Sequence, residues 1–106
     1  MAKLLAFIIG CCLVSQAAVA ERIIIDVRTS EEYQAGHLDA AVNVPYDVIA
    51  KHIAELADDK NTEIVLYCRS GRRSGVALET LRGLGYVDVT NVGGYEGAKS
   101  WAREQE

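Results

Sequence analysis

Apolar and polar positions along this chain fall into short blocks that switch between a strand pattern and a helix pattern. Ile23, Ile24, Ile25 and Val27 make residues 22–27 a β-branched apolar run, the pattern of a strand covered on both faces. Thr29 or Ser30 then offers a side-chain oxygen to cap a helix whose first turn carries Glu31 and Glu32, and Gly36 ends it. Residues 40–44 read as a brief second strand. After Pro45, residues 47–56 place Val48, Ile49, Ile53 and Leu56 on one helical stripe, and residues 58–61 make a solvated turn. Residues 63–67 are the most strand-like of all and read as the centre of a parallel sheet. Val76, Leu78, Leu81 and Leu84 predict a helix over about 74–84, stopped by Gly83 and Gly85. Residues 87–92 form the last predicted strand, Gly93 and Gly94 a turn, and residues 95–103 a terminal helix. This alternation predicts an α/β domain with a mostly parallel central sheet flanked by helices. Ligands of such sheets bind at the carboxyl ends of strands, and Cys68 lies at one.

The chain has 106 residues, half of them hydrophobic, and a single proline, which bounds it to one small domain. The first twenty residues read as a signal peptide outside that domain. Lys3 gives a positive start, residues 4–14 are apolar, and Ala18, Val19 and Ala20 form a small-x-small cleavage signal before Glu21. The apolar run is shorter than the ~18 residues that mark a membrane span, so no stable span is expected. The expected organisation is thus a leader over residues 1–20 and a domain over 21–106, exported to the periplasm. Ile8, Ile9, Gly10 and Cys11 also resemble a lipobox, so lipidation of Cys11 is a second reading of the same segment.

Removal of the leader takes Cys11 and Cys12 with it and leaves Cys68 as a lone thiol. No internal disulfide is then possible, and a free thiol in an oxidising compartment points to a use for it. The bland alternative is a buried cysteine acting as a small hydrophobe. Net charge is −4, and loss of Lys3 leaves ten basic against fifteen acidic residues, which argues against a nucleic-acid partner. Arg69, Arg72 and Arg73 nevertheless fall within five positions. A local cationic spot on an acidic protein suits a small anion.

The residues Cys68, Arg69, Ser70, Gly71, Arg72, Arg73 and Ser74 carry the chemistry. A cysteine leaves a strand there and enters a loop that opens a helix. Backbone N–H groups at a helix start favour both a bound anion and the ionised form of a sulfur. Neighbouring guanidinium groups depress a thiol pKa further, so Cys68 is the candidate nucleophile. Arg69 and Arg73 are the favoured donor-binding arginines, and the direction of Arg72 stays open. No metal or other cofactor is expected: His37 and His52 lie far apart, and one cysteine gives no zinc-type spacing.

In order along the chain, Ile25-Asp26-Val27-Arg28, Glu32-Tyr33 to Gly36-His37, Ala41 to Pro45, the loop from Cys68 to Ser74, and the pairs Gly85-Tyr86 and Gly93-Gly94 resemble the rhodanese-like sulfurtransferases, small exported single-domain members above all. The resemblance covers nearly the whole of residues 21–106. It implies a single rhodanese-like domain that takes sulfane sulfur from a small anionic donor such as thiosulfate, holds it as a persulfide on Cys68, and passes it to a thiophilic acceptor such as cyanide or a thiol. It implies that the loop, from Arg69, Ser70 and Gly71 to Arg72, Arg73 and Ser74, binds donor and persulfide. Asp26 and Arg28 fall where the family places structural residues near the active-site floor, and an ion-pair role is expected for them.

Three other readings share the same cysteine. A persulfide carrier or partner-binding module would use the loop to dock a protein. A thiol redox sensor would form a sulfenic acid. A cysteine-dependent phosphatase resembles Cys followed by five residues and Arg, but here that place holds Ser74, and Arg73 comes one position early. A loop one residue shorter presents fewer donors to the oxygens of a phosphoryl group.

Overall fold

The computed structural model describes residues 21–106, so the leader reading of residues 1–20 and the lipobox reading at Cys11 lie outside the described residues. Strands and helices alternate as β1 (Arg22–Asp26), α1 (Ser30–Ala35), β2 (Val42–Asn43), α2 (Ile49–Leu56), β3 (Glu63–Tyr67), α3 (Arg72–Gly83), β4 (Val89–Asn91) and α4 (Tyr95–Glu104). The sheet has the order β2-β1-β3-β4 with every pairing parallel. The strongest strand pattern therefore sits inside the sheet, where β3 pairs β1 from Arg22 opposite Glu63 to Asp26 opposite Tyr67. Among the described residues no helix is long and apolar enough to cross a membrane.

Successive side chains of a strand point to opposite faces, and the core divides accordingly. Ile25, Val27, Ile64, Leu66 and Cys68 join Ile49 and Ile53 of α2 and Ala77 and Leu81 of α3 in one apolar cluster. Ile24 and Tyr67 join Ala41, Tyr33 of α1, and Tyr95 and Ala98 of α4 in the other. The sheet is thus covered by α2 and α3 on one side and by α1 and α4 on the other.

Several boundaries differ from those predicted, each for a local reason. Helix α2 starts at Ile49 because the N–H of Val48 closes a turn on the carbonyl of Pro45 at 3.1 Å. Strand β4 is shorter than residues 87–92, since Val87 is 72% exposed and its N–H bonds to Lys60. Strand β2 is reduced to two residues at the sheet edge. The difference that matters for chemistry is α3, which begins at Arg72 and so carries Arg72, Arg73 and Ser74 in its first turn.

Candidate active site

The alternation Ile64, Leu66, Cys68 turns the cysteine toward the side of the sheet covered by α2 and α3. Its N–H donates to the carbonyl of Gly93 at 3.1 Å, which ties the end of β3 to the turn after β4. The sulfur is covered: Cys68 is 0% exposed. Its cover is nonetheless polar on one side. Sγ accepts a hydrogen bond from the N–H of Gly71 at 2.9 Å and lies 3.4 Å from the hydroxyl of Ser74.

The loop keeps this shape through glycine. Gly71 caps α3 with φ of 101°, a left-handed conformation that side chains with a Cβ rarely adopt. Gly94 pairs with Ser70 in an antiparallel bridge, and a Cβ there would collide with the carbonyl oxygen of Arg69. Burial pushes the Cys68 thiol up, but the Ser74 hydroxyl and the backbone N–H groups of Ser74, Gly71 and Ser70 outweigh it, and the net shift is downward. The site therefore favours a thiolate by hydrogen bonding rather than by exposure.

The three arginines do different things. Arg69 and Arg72 are exposed, and among the described residues neither joins an ion pair. Two cations at the positive end of a helix oppose its dipole, so that end is poised for an anion. Arg73 instead grips Glu32, with Nη1 to Oε1 at 2.9 Å and Nη2 to Oε2 at 3.0 Å. The Glu32 hydrogen bonds above all, and the Cys68 charge to a lesser degree, hold the Arg73 guanidinium protonated. Glu32 is also the acidic partner of a capping box: its carboxylate accepts from the N–H of Thr29 at 3.0 Å while its own N–H donates to Oγ1 of Thr29. The Arg73 bonds, against some desolvation, hold the Glu32 carboxyl down at about 2.

Asp26 and Arg28 do not reach the sulfur. They form a buried ion pair, Nε to Oδ1 at 2.9 Å and Nη2 to Oδ2 at 2.6 Å, with Nη2 also donating to the carbonyl of Gly36 at 2.7 Å. The guanidinium stacks 4.7 Å from the ring centroid of Tyr95 and 5.6 Å from that of Tyr67, residues of the second core cluster. That arrangement braces the turn after β1 from the face of the sheet opposite Cys68. His37 stacks on Tyr33 at 3.6 Å, and among the described residues no three groups of metal-ligating type gather.

Two participants escaped sequence reasoning. Glu32 reads as a helix-start acid, and nothing local shows that it meets Arg73 across 41 positions. Asn91 reads as a polar residue in a strand. In the structure its Oδ1 accepts from the Ser74 hydroxyl at 2.7 Å and the Gly93 N–H at 2.8 Å, and its Nδ2 donates to the Gly71 carbonyl at 3.1 Å. The available signal was its place two residues before Gly93, at the carboxyl end of a strand next to β3.

Comparison with known proteins gives consistent matches. Residues 13–102 match the family of the rhodanese-like domain. The chain is 44% identical over 70 residues to the thiosulfate sulfurtransferase PspE of Escherichia coli, covering 66% of this chain and 67% of that one. It is 36% identical over 81 residues to a sulfurtransferase of Allochromatium vinosum, covering 76% of this chain and 72% of the other. A solved rhodanese with anions from E. coli superposes with a TM-score of 0.70 at 41% identity, covering 72% of this chain and 89% of that one.

Proposed function

This chain belongs to the rhodanese-like domain family, and from that premise we propose that it is a thiosulfate sulfurtransferase that works through a persulfide on Cys68. The observation that carries the reading is the 2.9 Å hydrogen bond from the Gly71 N–H to Sγ, made by a loop whose other N–H groups also favour negative charge on the sulfur. The Cys68 thiolate attacks the outer sulfur of thiosulfate, the S–S bond breaks, and sulfite leaves with the bonding pair. The product is a persulfide whose terminal sulfur carries the negative charge. Cyanide or a thiolate then attacks that terminal sulfur, and the Cys68 thiolate is released as the leaving group. Covalent catalysis divides the transfer into two displacements, and the loop N–H groups stabilise charge as it moves between the two sulfurs. Neither step moves a proton, so no general base is required.

Arg69 and Arg72 supply exposed positive charge at the loop for the dianionic donor. Cys68 is covered at rest, so the donor reaches its sulfur only when that cover opens. Export is part of the proposal: the apolar run at residues 4–14 and the small residues Ala18 and Ala20 support a leader cut before Glu21.

Intact mass after thiosulfate treatment tests the reading. A gain of about 32 Da, one sulfur, is expected for the wild type, absent in Cys68→Ser, and lost on adding cyanide. Continuous thiocyanate formation marks an enzyme. A single stoichiometric loading without turnover would make the chain a carrier instead.

A further inference from the structure

The Ser74 hydroxyl is fully buried and has one proton, yet three acceptors surround it: Asn91 Oδ1 at 2.7 Å, the Gly71 carbonyl at 3.1 Å and Cys68 Sγ at 3.4 Å. Only one of them can hold that proton well at a time. The orientation of the Asn91 amide is set by its other partners. The Gly93 N–H must meet an acceptor and the Gly71 carbonyl must meet a donor, so Oδ1 faces Gly93 and Nδ2 faces Gly71. Oδ1 is therefore available to Ser74 at the shortest of the three distances.

We propose that Asn91 is a positioning residue, the resting acceptor of the Ser74 proton, so that Ser74 turns its O–H to Cys68 Sγ only when that sulfur carries charge. With the sulfur protonated, the chain of hydrogen bonds runs from Sγ–H to the Ser74 oxygen and from the Ser74 O–H to Oδ1. With the sulfur ionised, the Ser74 O–H rotates onto Sγ, and Oδ1 keeps the Gly93 N–H. Nothing is left unpaired in either arrangement, which is why the rotation is inexpensive. The inference rests on the sulfur-transfer reading for its purpose. Charge leaves Sγ when it bonds the outer sulfur and returns when the acceptor removes that sulfur, and a rotating donor follows it both ways.

The charged and titratable groups around the loop are Arg73 of α3 with its partner Glu32, which reaches over from α1, the exposed Arg69 and Arg72, and Tyr46 facing Arg73, while Ser74 of α3 and Asn91 of β4 are neutral. Replacing Asn91 by alanine thus removes hydrogen bonds and changes no charge. The thiolate ultraviolet absorbance of the full chain, titrated with pH and referred to Cys68→Ser, reads the ionisation of Cys68 without any sulfur donor. Loss of the resting acceptor in Asn91→Ala removes support from the thiol form alone, so the midpoint should fall by about half a pH unit, the size of one ordinary hydrogen bond. Ser74→Ala should raise it. In the Ser74→Ala background, Asn91→Ala should leave it unmoved, because the effect passes through the hydroxyl.

A rise of the midpoint in Asn91→Ala, or an equal shift with and without Ser74, would overturn the proposal and leave Asn91 a mere brace of the loop. Should Asn91→Ala fail to fold, Asn91→Asp keeps the Oδ1 acceptor and strengthens it, while losing the donor to the Gly71 carbonyl and adding a negative charge that acts with or without Ser74. The midpoint must then rise more with Ser74 present than in the Ser74→Ala background, and an equal rise would sink the idea. Since the titration needs no turnover, a coupled shift in a protein that transfers no sulfur would defeat the functional reading alone. Turnover without the coupled shift would defeat only the role of Asn91.

Discussion

Arg73 and Glu32 face each other fork to fork, Nη1 on Oε1 and Nη2 on Oε2, and so join the first turn of α3 to the first turn of α1. The sulfur loop opens α3, and α1 lies on the other side of the sheet, so the pair closes over the carboxyl end of the sheet. A bidentate pair holds an arginine in direction as well as in charge. Arg73 is thereby kept near Cys68 while only a fifth of its side chain remains exposed.

Removing that arginine should weaken donor binding more than chemistry. For Arg73→Ala the expected outcome is a rise of about ten-fold in the KM for thiosulfate with kcat changed less than about two-fold, the pattern of an interaction made equally in ground and transition states. Glu32→Gln should give a smaller rise in KM, because it leaves the charge but loosens its aim. Steady-state thiocyanate assays on the two variants decide this, and an unchanged KM in Arg73→Ala would remove Arg73 from the donor site.

The same pair sets an acid limit. The Glu32 carboxyl is held at about 2, below its ordinary value of 4.5, so its contribution is complete above the ordinary value and is lost as pH falls toward the folded one. Partial exposure keeps the effect below about 1 kcal/mol. Melting curves between neutral and strongly acidic pH should show wild type losing its advantage over Glu32→Gln as pH drops through that window, and parallel curves would refute the assignment.

Gly94 has no room for a side chain against the Arg69 carbonyl. Gly94→Ala is expected to destabilise the fold by about 1–3 kcal/mol, as overpacking does, and to raise the Cys68 thiol midpoint by pulling the loop N–H groups out of line. Denaturant midpoints and the thiolate titration measure the two effects separately.

The buried pair beneath the opposite face predicts a different signature. Arg28→Ala leaves Asp26 as an uncompensated charge that is 0% exposed, and a loss of about 3–5 kcal/mol of stability follows. The Cys68 midpoint of whatever fraction stays folded should be close to wild type, since Arg28 braces the turn after β1 and does not touch the sulfur loop. A large shift in that midpoint would place Arg28 in the chemistry after all.

How much of this was legible beforehand depends on whether a contact is local. The strand ending at Tyr67, the Cys68 loop, the cap at Thr29 and the alternation of elements follow from neighbouring residues, whose periodicity and turn chemistry act over a few positions. Even there, the start of α3 was misplaced, because the apolar stripe begins at Val76 while the helix begins at Arg72, where Gly71 supplies the left-handed cap.

Side-chain direction and long-range pairing are another matter. Composition shows three arginines near one cysteine but not that Arg73 turns to Glu32 while Arg69 and Arg72 face solvent. Nor does the chain announce that Asn91, carried on a separate strand, supplies the acceptor to Ser74, or that the sulfur is covered yet hydrogen-bonded. From the sequence by itself come the α/β architecture and the grounds for proposing a nucleophile and an anion-binding loop, since each is written in short-range pattern and backbone chemistry. Which groups surround the sulfur is settled only when parallel strands bring residues far apart in the chain to one end of the sheet, where distance and burial decide what each can touch.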